Sequence, residues 1–140
     1  MRARRTVRFL LLYGGMELLK RALVVDDDDP IRHMLSKVIE RNDFTVETAR
    51  DGAEAIDAIS RTNGLTYDVI LLDLMMPRVD GYSVLQYMQE HHPELLPRTI
   101  VASAVPKVDI LARFPELTCR VHTKPFDMSQ LLDDVRSCAA

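Results

Sequence analysis

Five side chains sit directly after short apolar runs. Asp26 and Asp27 follow Ala22–Val25, Asp73 follows Val69–Leu72, Ser103 follows Thr99–Ala102, and Lys124 follows Cys119–Thr123. Three carboxylates brought to one place repel one another, which raises their pKa values or splays the loops that carry them. A hard divalent cation removes that conflict. Mg²⁺ takes oxygen ligands in octahedral geometry and keeps several waters, so a few carboxylates suffice. A carboxylate is also a nucleophile that can form an aspartyl phosphate. Asp73 is the candidate for that role. A metal and the Lys124 ammonium would neutralise a phosphoryl group in transfer, and Ser103 could donate to one of its oxygens. Asp28 and Asp29 read as turn and helix cap.

For these residues to meet, the chain must bring its strand ends together. Four-residue runs such as Ala22–Val25 and Val69–Leu72 have the length and continuous apolarity of strands buried on both faces. Between the runs lie helical patterns. Ile31, Met34, Leu35, Val38 and Ile39 recur at i, i+3, i+4, i+7 and i+8. Asp29 before Pro30 suits an N-cap followed by proline at the first helical position. A strand is predicted over 44–49 and a helix over 53–61, ended by Asn63-Gly64. The loop with Pro77 and Gly81 leads to a third helix marked by Val84, Leu85 and Met88, closed by His91-His92-Pro93. A short helix over 107–114 is cut by Pro115. A fifth strand spans 119–123 and, being less apolar, suits a sheet edge. A last helix spans 127–137, with Met128, Leu131, Leu132 and Val135 inward.

Strands alternating with helices require a parallel sheet with right-handed crossovers. Five such units make a doubly wound α/β fold. Its ligands bind beyond the carboxyl ends of the strands, where the strand order reverses. That rule places the five residues above at the expected site.

Composition fits one domain: 140 residues, 47% apolar and 28% charged. Net charge is −3. Residues 1–20 carry a net +4 from Arg2, Arg4, Arg5, Arg8, Lys20 and Glu17, which leaves −7 on the other 120. An acidic body does not suit DNA binding, which needs a basic surface. No apolar run approaches the ~20 residues of a membrane span. Phe9–Tyr13 is also shorter than the roughly 7–15 apolar residues of a secretory signal, so residues 1–20 read as a poorly ordered extension. Met16 is an alternative start. Cys119 and Cys138 form no CxxC pair and suit reduced thiols in a cytoplasmic protein. GxGxxG, P-loop and GxSxG motifs are absent. His33, His91 and His92 read as surface residues and His122 as structural.

These motifs together resemble the receiver domain of two-component response regulators. ALVVDDDDP (22–30) is similar to the family's first strand and acidic pair. DVILLDLMMPRVDGY (68–82) is similar to the strand and loop around its phosphorylated aspartate. IVASA (100–104) and HTKPF (122–126) are similar to its hydroxyl-bearing and Lys-Pro strand ends. The resemblance covers about residues 20–140 and implies a receiver domain over 21–140 with flavodoxin-like strand order 2-1-3-4-5. It implies that Asp73 accepts a phosphoryl group from a histidine kinase or histidine phosphotransfer protein. Mg²⁺ would be held by Asp26, Asp27, Asp73 and the Met75 carbonyl, and Ser103 and Lys124 would contact the phosphoryl group. The Lys124-Pro125 peptide is expected to be cis. The switch region would comprise Ala104, Val121 and Pro125.

The sequence also departs from the family. Val121 stands where an aromatic residue is usual, Pro115 shortens the fourth helix, and Met75 and Val105 flank the site as apolar residues.

Three functions compete at this stage. A stand-alone phosphoacceptor would signal by protein contact to an unknown output partner, as a monomer or weak homodimer. A degenerate receiver would be a constitutive interaction module. A metal-dependent phosphohydrolase with its nucleophile on the first strand would need a cap insertion, for which 120 residues leave no room.

Overall fold

The computed structural model describes residues 19–62, 67–117 and 120–140. Strand β1 (Lys20–Val25) leads to helix α1 (Asp29–Glu40). Strand β2 (Phe44–Ala49) leads to α2 (Gly52–Thr62), and β3 (Val69–Leu72) to α3 (Gly81–His91). Then come β4 (Thr99–Ser103), α4 (Lys107–Arg113), β5 (Val121–Thr123) and α5 (Met128–Cys138). Short 3-10 turns at Pro93–Arg98 and Pro115–Leu117 precede β4 and β5.

All four strand pairings are parallel, and the order is β2-β1-β3-β4-β5. The expected doubly wound architecture is therefore present, with β2 and β5 at the edges. Successive side chains of a strand point to opposite faces, and the core divides accordingly. Leu23, Val25, Ile70, Leu72 and Val101 pack with Ala55 and Ile59 of α2, Leu85 and Met88 of α3, and Ile110 of α4. Ala22, Val24, Leu71, Ile100 and Ala102 pack with Leu35 and Ile39 of α1 and with Leu131 and Val135 of α5.

Several local expectations change. Asp28, not Asp29, is the N-cap of α1: its backbone is extended and its carboxylate accepts from the Ile31 N–H. Asp29 is the first helical residue, so Pro30 falls one place later than expected. Met34 is exposed, because at 100° per residue it lies well to one side of the stripe centred on Leu35 and Ile39. Strand β1 begins at Lys20, taking in the last residue of the expected extension. Strand β5 is three residues long, not five. The Asn63-Gly64 helix end, Cys119 and residues 1–18 lie outside the described residues.

Candidate functional site at the strand ends

The ladder of the sheet continues one residue past three strand ends and sets the site residues in place. The Asp26 N–H donates to the Ala49 carbonyl (3.2 Å), the Asp73 N–H to Val25 (2.9 Å), and the Lys124 N–H to Ser103 (2.9 Å). The polar residues that stop the apolar runs are thus held in register by the same backbone bonds that build the sheet.

Their side chains converge. One carboxylate oxygen from each of Asp26, Asp27 and Asp73 lies within 4.8 Å of the others. Lys124 Nζ donates to Asp26 Oδ2 at 3.1 Å and to Asp73 Oδ2 at 3.4 Å. The second oxygen of each buried acid accepts a backbone N–H: Asp28 to Asp26 Oδ1 at 2.9 Å, and Met75 to Asp73 Oδ1 at 3.2 Å. Asp26 and Asp73 are only 2% and 5% exposed, whereas Asp27 is exposed. Among the described residues Asp27 has no hydrogen-bond or ion-pair partner.

The charges do not balance, since three carboxylates face one ammonium. Burial, reinforced by the Asp73 charge, raises the Asp26 pKa above 3.8 despite the opposing Asp28 N–H and Lys124. For Lys124, burial alone would lower the pKa, but the charges of Asp73 and Asp26 raise it above 10.5. The ammonium therefore stays protonated. A cluster of hard oxygen donors with an unpaired acid at its open side fits a divalent cation.

Ser103 is fully buried at the end of β4, and its Oγ accepts the Val105 N–H at 3.4 Å. Ala104 is exposed, Val121 is buried against the α2–α4 side of the sheet, and Pro125 is exposed after a cis Lys124-Pro125 bond. Met75 is 62% exposed beside Asp73. Helix α4 has seven residues and ends before Pro115. His122 pairs with Asp134 of α5.

Sequence reasoning missed the residues that hold the loops. A Cβ on Gly81 would lie 2.3 Å from the Asp73 carbonyl oxygen, so only glycine lets α3 start against the Asp73 backbone. A Cβ on Gly52 would lie 2.3 Å from the Val79 carbonyl oxygen, which accepts the Gly52 N–H. Arg78, at φ 64°, reaches the buried Asp51 at 3.1 Å. The loop after Asp73 is thereby tied to the start of α2. The only sequence signal was the pair of Asp-Gly dipeptides at 51–52 and 80–81. Arg32 was also missed. Its Nη1 donates to the Asp26 carbonyl at 2.9 Å, and its Nη2 pairs with Asp29.

Comparison with known proteins identifies the family. The sequence profile of the response regulator receiver domain matches residues 22–136. The chain belongs to this family. Receiver domains are signalling modules of two-component phosphorelays; they bind Mg²⁺ through acidic residues and interact with histidine kinases or phosphotransfer proteins.

Among relatives, "Response regulator MprA" of Mycobacterium sp. (strain KMS) is 32% identical over 117 residues, covering 84% of this chain and 49% of that protein. The chain thus spans about half the length of such relatives. "Sporulation initiation phosphotransferase F" of Bacillus subtilis is 29% identical over 118 residues, covering 84% of this chain and 91% of that protein. The solved receiver domain of the Francisella response regulator 1452 superposes with TM-score 0.73 at 30% identity, covering 86% of this receiver chain and 96% of its own. A structure of the CheX-CheY complex with BeF3 and Mg from Borrelia burgdorferi matches with TM-score 0.75 at 26% identity, covering 92% and 94%. Among the described residues of the receiver, no helix is long and apolar enough to cross a membrane.

Proposed function

We propose that this receiver takes a phosphoryl group on Asp73 and passes the signal on by protein contact. The observation that carries the reading is Lys124 Nζ bridging Asp26 Oδ2 and Asp73 Oδ2 beside the unpaired Asp27. Asp26, Asp27, Asp73 and the Met75 carbonyl would hold Mg²⁺, which supplies charge neutralisation on the phosphoryl oxygens. A carboxylate oxygen of Asp73 attacks the phosphorus of a phosphohistidine on the donor. An O–P bond forms, the P–N bond breaks, and the electron pair leaves on the imidazole. Lys124 moves with the charge from the carboxylate to the phosphoryl oxygens, and Ser103 donates its hydroxyl to one of them. Residues 21–140 form the receiver unit in this reading, with 1–20 as an extension to it.

The test is intact-mass spectrometry after treatment with acetyl phosphate and Mg²⁺. Wild type should gain one phosphoryl mass, which EDTA prevents and Asp73→Asn abolishes. Equal labelling of Asp73→Asn would remove Asp73 from the role. A chain that binds no Mg²⁺ and gains no mass would instead be a constitutive interaction module.

A further inference from the structure

The second feature of the molecule lies on the β2 side. A cleft of about 310 Å³ runs between α1 and the outer edge of the sheet, lined by Arg32, His33, Ser36 and Lys37 of α1 and by Val46 and Thr48 of β2, with Glu40 as the single acid on its wall. Among the described residues strand β2 is an edge strand, paired only with β1. The Asp26 N–H donates to the Ala49 carbonyl, so the backbone groups of residues 45, 47 and 49 face β1. By the alternation of a strand, the N–H and C=O of Val46 and Thr48 face away from the sheet. The same two residues line the cleft. It therefore occupies the place where side chains of a sixth strand would lie under α1.

The charge of the cleft selects its guest. Arg32 is already committed to the Asp26 carbonyl and to Asp29. Among the described residues His33, Lys37 and Glu40 have no ion-pair partner and all three are exposed, so the wall carries two permanent cations, Arg32 and Lys37, against one acid. Ser36 Oγ donates to the Arg32 carbonyl at the cleft wall. We infer that the β2 edge is a docking site for an extended acidic peptide segment of a partner protein. The peptide backbone pairs with Val46 and Thr48, and its inward Glu or Asp side chains meet Lys37 and His33. Backbone pairing supplies affinity in such strand addition, and alternate side-chain positions supply specificity.

The experiment is an NMR titration of the full ¹⁵N-labelled chain. The probe is a capped heptapeptide of alternating Val and Glu; the controls are its Val-Lys counterpart and inorganic phosphate. The Val-Glu peptide should shift the amides of Val46, Thr48 and Lys37 and slow hydrogen exchange at Val46 and Thr48. Lys37→Glu, an exposed change that leaves the core untouched, should weaken that peptide at least about tenfold and admit the Val-Lys peptide. Thr48→Pro removes an outward N–H without breaking the β1–β2 ladder and should also weaken binding. Three results would overturn the inference: no shifts on β2, equal binding of both peptides to wild type, or reproduction of the same shifts by inorganic phosphate alone.

Discussion

Replacing Lys124 by Met tests the electrostatics of the site directly. The ammonium lies 3.1 Å from one buried carboxylate and 3.4 Å from another. At an effective dielectric of about 20, each contact attracts by about 5 kcal/mol before desolvation is counted. Desolvation of the ammonium offsets much of this. Breaking a buried pair by removing one partner nevertheless costs roughly 3–5 kcal/mol, because the other charge is left uncompensated. Lys124 is about one-fifth exposed at its side chain, which places the expected loss near the lower end, about 3 kcal/mol. The melting temperature should fall by on the order of 10 °C. The assay is urea unfolding of wild type and Lys124→Met at neutral pH, in EDTA and in saturating Mg²⁺. The metal neutralises the same carboxylates, so it should recover most of the loss. Asp26→Asn in the Lys124→Met background should recover part of it without metal. A loss below about 1 kcal/mol in EDTA, or an equal loss with and without Mg²⁺, would refute the reasoning.

Other outcomes follow from the loops and the core. Gly81→Ala should destabilise the fold by roughly 1–3 kcal/mol in urea unfolding, since its Cβ meets the Asp73 carbonyl oxygen at 2.3 Å and backbone there has no slack. It should also slow labelling by acetyl phosphate, as the Asp73 loop must shift. Asp28→Ala removes the cap of α1 and should cost about 1 kcal/mol, while Asp73 labelling, followed by intact mass, persists. Tyr67 is fully buried, and burial, with Glu47 nearby, pushes its phenol from 10.0 to about 12. The folded chain therefore keeps a proton that the unfolded chain loses. That stabilisation is complete below pH 10 and disappears as pH rises through about 12. Tyr67→Phe should flatten the alkaline limb of the unfolding profile by on the order of 2 kcal/mol.

Much of the site was legible because strand ends announce themselves. A buried strand has to be apolar on both faces, so the first charged or hydroxyl residue after it marks where the sheet meets solvent. Asp26, Asp73 and Lys124 are of this kind, Ser103 closes β4 itself, and the ladder bonds past Val25, Leu72 and Thr123 show why such residues fall at one edge. Helix faces were readable where the stripe was broad, as in α3, where Val84, Leu85 and Met88 are all fully buried. Single residues at a stripe margin were not. Met34 satisfied the spacing but lies to one side of the stripe that Leu35 and Ile39 bury. The Asp29 cap failed for a similar reason: a run of four aspartates offers several caps, and the chain caps with Asp28.

Composition, periodicity and the order of polar stops determined the parallel α/β fold, the strand that bears Asp73 and the acidic character of its neighbourhood. Those are properties of the chain one element at a time, set by which faces must be buried. Tertiary structure alone decided that Lys124 sits between Asp26 and Asp73, separated from them by 98 and 51 positions. It also decided that Gly52 and Gly81 let loops touch backbone to backbone, that Arg32 holds the Asp26 carbonyl, and that the edge of β2 opens onto a basic cleft. Each of these depends on how two elements approach within a few ångströms, and hydrophobic pattern carries no information at that scale: it fixes which side of an element is inside, not what its polar groups meet there.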